Sequence, residues 1–173
     1  MAPVKFALLR HLEQHEPYPA VVLNPAYDIL IANEGFKKTV SWFVGTEALD
    51  KYPNMARLTF AEDGLRPFVT CWPFMRDQLL ARLREEALLA QNEAIWQLNA
   101  DLEVLEPDAE STPPDMSAGL PVMSLELCRD GHTYRYFSTI TSFGTPLDAT
   151  VQELRLESLF PSDEATRLAY YHT

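Results

Sequence analysis

Cysteine, glycine and basic residues are all scarce in this chain, and each shortage removes a class of function. The two cysteines, Cys71 and Cys128, stand far apart and outside any C-x-x-C spacing. That argues against a disulfide framework and fits a reducing compartment. Six glycines in 173 residues include no phosphate-cradling loop and no G-x-S-x-G nucleophile elbow. Lysine and arginine number 14 against 25 acidic residues, a formal net charge of −11. A surface built for phosphate backbone or anionic lipid needs the opposite sign, so this chain alone is a poor nucleic-acid or membrane binder. No apolar run approaches the roughly 18 residues of a membrane span. The N-terminal MAPVKFALLRHLEQHEPYP lacks a signal-type block. The expected location is the cytoplasm.

What the chain has is a large, aromatic-rich apolar fraction. Hydrophobic residues make up 47%, with three Trp, seven Tyr and nine Phe. Such side chains fill a core and shape pockets, and the length suits a single domain over 1–173. The stretch PAVVLNPAYDILIANEGF organises its start. Ala20–Leu23 reads as an apolar, β-branched strand. Asn24-Pro25 turns the chain. Residues 27–32 return as a second strand with Tyr27, Ile29 and Ile31 on one face. Asn33 is placed to cap a helix whose stripe is Phe36, Val40, Phe43 and Val44. Ahead of this, residues 5–15 read as a short helix stopped by Pro17 and Pro19, within a connector segment 1–17.

Downstream, Met55–Phe60 reads as a short helix, and 65–89 carries the longest helical signal. Phe68, Trp72, Met75, Leu79, Leu80 and Leu83 recur there at three- and four-residue steps. Pro73 predicts a kink or a break. Residues 92–105 form a second amphipathic helix, and 107–119 read as a polar, mobile surface loop. Three strands follow over 122–129, 132–143 and 150–160, the first two joined by an Asp130-Gly131 hairpin turn. A short helix starts at Ser162. Strands split by a block of helices predict an α+β fold. Its one five-stranded antiparallel sheet is covered on one face by helices, with an added N-terminal helix. A hollow between the layers is a natural seat for a small apolar ligand.

Reactive constellations are thin. His11 and His15 lie four apart on the first helix, but no third or fourth ligand accompanies them, so two exposed histidines and no metal are expected. Cys71 beside Trp72, and Cys128 in a strand, read as buried inert hydrophobes. His132 follows a hairpin turn and reads as exposed. Glu153 and Glu157 flank Arg155 on one face of the last strand, a pattern expected on a solvated, charge-balanced surface. Arg82 and Glu86 likewise read as the wet side of their helix. No cofactor is indicated. The aromatic helix remains: Phe68, Trp72, Phe74 and Met75 supply apolar wall, with Arg57 and Arg66 nearby in sequence. The alternatives there are plain core with surface arginines, or a pocket wall with a cation at its mouth suited to an acidic amphiphile.

Four stretches taken in order carry a family resemblance: PAVVLNPAYDILIAN, then Pro53-Asn54, then GLRPFVTCW with LLARLREE, then RYFSTITSFGTPLDATVQELRLESLFPSDEAT. Spanning 8–166, they resemble the ligand-binding domain of MmyB-like transcription regulators. The resemblance implies a PAS-like fold, no catalysis, and a sensor for a small molecule, with fatty acid as the ligand class. It also implies an N-terminal helix-turn-helix module of the XRE type, and a homodimer, since such regulators bind paired half-sites. Met1 stands almost where such a sensor begins, so DNA contact is expected only through a module absent from this chain.

The expectation is therefore a regulatory sensor. Phe68, Trp72, Met75, Leu79, Phe137 and Leu156 are its predicted pocket wall, Asn33 and Arg66 its predicted polar anchors. The first helix would carry the change toward the DNA-binding module. Two other readings compete. A small α+β enzyme would need Glu153, His132 and Tyr134 to converge inside. A non-sensing dimerisation domain would use its sheet or first helix.

Overall fold

Turn chemistry sets the opening hairpin. In the computed structural model, which describes residues 2–105, 124–142 and 154–171, β1 (Ala20–Leu23) and β2 (Ile29–Ala32) pair antiparallel with Val21 opposite Ala32. The Asn24 side chain closes the turn. It accepts from the Asp28 N–H at 2.9 Å and donates to the Asp28 carboxylate at 2.8 Å. Tyr27 takes a left-handed conformation, φ 67°, so β2 starts at Ile29, later than the alternation predicts.

The helix α2 (Glu34–Phe43) follows directly, capped by Asn33 and burying Phe36, Val40 and Phe43. Gly35 is needed in its first turn. A Cβ there would stand 2.4 Å from the Pro17 carbonyl oxygen and 2.6 Å from that of Tyr18. Only glycine lets α2 lie this close to the segment entering β1.

Two short helices, α3 (Ala48–Lys51) and α4 (Met55–Phe60), lead to a 3-10 turn (Arg66–Phe68). The long helix α5 (Trp72–Ala90) starts later than its periodicity predicts. Cys71 sits before it in a left-handed conformation, φ 53°. Pro73 therefore falls in the first turn, where a missing N–H costs nothing, and the break lies just ahead of it. Cys71 is in consequence exposed, not buried in a helix as the sequence suggested. α6 (Glu93–Glu103), capped by Asn92, folds back on α5 and buries Ile95, Leu98 and Leu102.

β3 (Ser124–Arg129) and β4 (His132–Ser142) meet across Asp130-Gly131, with φ of 52° and 79°. Positive φ at both positions is what a two-residue type I′ hairpin requires. β5 (Arg155–Pro161) precedes α7 (Glu164–Ala169), which is capped by Asp163, one residue after the predicted Ser162. The five strands lie in the order β2-β1-β5-β4-β3, each pair antiparallel. This is an α+β, PAS-like arrangement. The 107–119 loop expected from the sequence lies outside the described residues.

Both faces of the sheet are covered. Val21, Leu23, Leu127 and Tyr136 join the buried side chains of α2, α4, α5 and α6 in the main core. On the reverse face, Ala20, Val22 and Leu156 pack under Leu8 and Leu12 of α1 (Ala2–Gln14). His15 is buried there too, its Nε2 2.8 Å from the Leu159 carbonyl oxygen and its ring edge-on to Phe160. The expected pair of exposed histidines thus reduces to His11. α1 rests on β5, the strand whose other face meets the helical layer.

Candidate functional site

Between the sheet and the helical layer lies a cavity of about 60 Å³. Its wall is almost wholly apolar. Met75, Leu79 and Leu83 come from α5, Met55 and Ala56 from α4, and Phe36 from α2; Val21, Leu125 and Leu159 come from the sheet. The polar lining residues include Tyr27, Arg82, Ser138 and Glu157. On α5, Met75, Leu79, Arg82, Leu83 and Glu86 share one stripe of the helix. On β5, Arg155, Glu157 and Leu159 alternate on one face.

These charges form one linked cluster. The Glu86 carboxylate accepts from Arg155 Nη1 at 2.6 Å, from Arg82 Nε at 2.9 Å and from the Tyr27 hydroxyl at 2.9 Å. Both guanidiniums lie over the Tyr27 ring, at 5.8 Å for Arg82 and 5.4 Å for Arg155. The three charged side chains are only 20–22% exposed. Burial alone would raise the Glu86 pKa. The hydrogen bonds from Arg155 and Arg82 outweigh it and hold Glu86 below the usual carboxylate range. Burial keeps the Tyr27 phenol protonated.

Glu157 behaves oppositely. It is half-buried and lines the cavity. Burial pushes its carboxyl up, although Arg82 and a hydrogen bond with Ser138 oppose the shift. Glu157 thus holds its proton to higher pH than Glu86, and wherever it is protonated two guanidiniums face one ionised carboxylate beside the apolar cavity. The linkage is testable. A raised folded-state pKa means stability that is full below the ordinary value of 4.5 and is lost as pH rises through the raised value. Glu157→Gln is therefore expected to match wild type in urea unfolding at pH 4. It should become more stable than wild type as pH rises above 4.5 through the raised value. A constant difference across that range would refute the assignment.

The structure separates the predicted pocket residues. Met75 and Leu79 line the cavity. Phe68 and Trp72 pack on the main core outside the cavity lining, Phe68 against Phe43 and Trp72 against Phe60, with ring centroids 5.4 and 5.0 Å apart. Arg66 lies over the Trp72 ring at 5.6 Å and pairs with Glu62 at 3.6 Å. Asn33 is buried and spends its side chain on backbone: it accepts from Ala20 and Phe36 N–H and donates to the Tyr18 carbonyl. Phe137 and Leu156 lie on the reverse face of the sheet. Phe137 stacks on Phe160 at 5.1 Å and Leu156 packs under α1. Strand parity is the reason, since Ser138 on β4 and Glu157 and Leu159 on β5 line the cavity.

The charged residues that do line or flank it, Arg82, Glu86, Arg155 and Glu157, were read from sequence as solvated. The signal was present: Arg82 and Glu86 fall on the same helical stripe as Met75, Leu79 and Leu83. For the enzyme reading, His132 is exposed, its Nδ1 3.1 Å from the Asp130 carbonyl oxygen. Tyr134 packs against Trp42 and Phe43, away from the cavity lining. Glu153 lies outside the described residues.

Compared with known proteins, residues 4–170 match the family model described as MmyB-like transcription regulator ligand binding domain. Among curated proteins the chain has no match.

Proposed function

The chain belongs to the family of MmyB-like transcription regulator ligand binding domains, and from that premise we propose that it senses an acidic amphiphile such as a fatty acid. The observation that carries this reading is an apolar cavity bordered by a cluster with two guanidiniums, Arg82 and Arg155. The ligand's chain lies along Met55, Met75, Leu79 and Leu83. Its carboxylate seats beside Arg82, one of two guanidiniums that share the single Glu86 carboxylate. The domain acts in the cytoplasm within a homodimer, and a helix-turn-helix module joined to α1 makes the DNA contact. No helix among the described residues is long and apolar enough to cross a membrane.

The size of the cavity gives the signal its mechanism. A pocket of about 150 Å³ holds one benzene, and this one is about 60 Å³. A fatty chain enters only as the layers part and the flexible methionines repack. The outward movement reaches β5, whose reverse face carries Leu156 under α1. Ligand then favours whichever α1 position the parted layers allow, through its different affinity for the two states.

Native mass spectrometry of refolded, lipid-stripped protein tests the proposal with dodecanoate and dodecanol. A one-to-one dodecanoate complex is expected, with dodecanol at least about tenfold weaker, the effect of one lost charge-assisted contact. Leu79→Trp, which fills the cavity, should abolish the complex. A dodecanoate complex that survives Leu79→Trp, or no complex at all, would sink the reading.

A further inference from the structure

The residues of β4 that face the helical layer alternate Tyr134, Tyr136 and Ser138. Ser138 lines the cavity already described, whereas Tyr134 lines a separate chamber of about 390 Å³. Tyr136 lies between them, fully buried at 0% exposure. α2 forms a second shared wall. Its Phe36 lines the first cavity; Gly35, Lys38, Thr39 and Trp42, at helical steps of three and four, line the second. At this volume the chamber falls within the range of small-molecule sites.

Its walls are aromatic, and the Thr39 and Tyr170 hydroxyls are already committed. Trp42 meets Tyr134 edge-on at 4.6 Å and keeps 38% of its surface exposed. Tyr170 is the third ring. The Thr39 hydroxyl donates to the Gly35 carbonyl at 2.7 Å, so it accepts from the Tyr170 hydroxyl at 3.0 Å. That phenol oxygen in turn lies 2.8 Å from the Tyr136 hydroxyl, which donates to it. Each of these protons is spent within the protein. Burial raises the pKa of both phenols and keeps them neutral. The Glu16 carboxylate accepts from the Glu34 and Gly35 N–H groups at 2.8 and 3.0 Å. Lys37 pairs with Glu34, but Lys38 makes no ion pair among the described residues. What remains for a guest is flat aromatic surface, the Tyr134 hydroxyl and the Lys38 ammonium group, with the Glu16 carboxylate turned to the backbone N–H groups of α2.

We infer that this chamber is a second binding site, distinct from the fatty-chain cavity, for a flat aromatic monocarboxylate. The ring stacks among Trp42, Tyr134 and Tyr170 and the carboxylate pairs with Lys38.

Isothermal titration with 1-naphthoate and its neutral analogue 1-naphthamide tests this on the full chain. A one-to-one complex with naphthoate is expected, with the amide weaker by about tenfold or more. Lys38→Met should weaken naphthoate by a similar factor, and Trp42→Ala should abolish binding. Lys38 is exposed, whereas Trp42 keeps 38% of its surface and packs on Tyr134 and Phe43. Trp42→Leu, which retains apolar bulk but no ring, is therefore titrated beside Trp42→Ala and must also lose binding, with thermal melts showing that both variants stay folded. Leu79→Trp should bind naphthoate as wild type does. The inference is overturned if wild type shows no heat at millimolar naphthoate. It is equally overturned if Leu79→Trp loses binding while the Lys38 and Trp42 variants retain it, because the ligand would then occupy the first cavity.

Discussion

Asn33→Ala is expected to lower the unfolding free energy by about 3 kcal/mol in a urea titration. Capping alone accounts for about 1 kcal/mol of that. The remainder comes from where the residue sits. Asn33 is 6% exposed, and its carboxamide oxygen accepts from Ala20 N–H at 2.9 Å as well as from Phe36 N–H at 2.8 Å. Its amide donates to the Tyr18 carbonyl at 2.8 Å. One side chain thus ties the entry to β1 to the start of α2, and its loss strands the backbone groups that its side chain satisfies. Asn33→Asp separates the two halves of the effect. It keeps both acceptor bonds and sets an oxygen against the Tyr18 carbonyl. At neutral pH it should lose most of the same stability. Its deficit against wild type should narrow as pH falls and the carboxyl regains a donor proton. A loss under 1 kcal/mol for the alanine variant would show that the bonds are not what holds the hairpin to the helix.

Asn33 also shows how far sequence reaches. Its role as a cap is local, fixed by a few neighbouring residues, and was legible from Asn33 and the stripe Phe36, Val40 and Phe43. So was the Asp130-Gly131 turn, because two positive φ angles in succession demand that dipeptide type. The α+β order was legible for the same reason: each element announces itself through its own period. The use of Asn33 against Ala20 and Tyr18 was not legible, because it depends on how α2 lies against the incoming strand, which Gly35 permits. A polar residue bonded to distant backbone looks, in sequence, like a polar residue offered to a ligand.

Strand faces failed for a related reason. Alternation tells which residues share a face, never which face meets which layer. On β5 the apolar set containing Leu156 and Phe160 looks like the face for the main core, and the set containing Arg155 and Glu157 looks like the wet one. That inference holds when a sheet has one covered face. Here α1 covers the reverse face and takes Leu156, so the charged set turns inward to the cavity. Phe137 was misplaced with it. The same rule sent Arg82 and Glu86 outward, although their helical stripe is the buried one. The polar border of the cavity was missed because buried charge is rare enough that sequence reading defaults to solvent.

Removing the centre of that border is expected to destabilise the domain more than its partial exposure suggests. Glu86→Ala leaves Arg82, Arg155 and the Tyr27 hydroxyl without the carboxylate they share, and two like charges remain over one ring. Breaking a fully buried ion pair costs about 3–5 kcal/mol. With these side chains 20–22% exposed, solvent screening reduces the expected loss to about 2 kcal/mol. The Glu86 pKa is depressed, so its contribution is present above the ordinary value of 4.5 and lost as pH falls below it. The gap between wild type and Glu86→Ala should accordingly close under acid. A triple variant, Arg82→Met with Glu86→Leu and Arg155→Met, removes the shared carboxylate and both guanidiniums together, leaving Glu157 as the titratable group at the cavity. It should stay within about 1 kcal/mol of wild type. If the cluster exists to receive an acidic head, the triple variant keeps its fold and binds dodecanoate no better than dodecanol. A triple variant that still prefers the acid would place the headgroup elsewhere. A Glu86→Ala variant as stable as wild type would mean the three hydrogen bonds contribute nothing to holding α5 on β5.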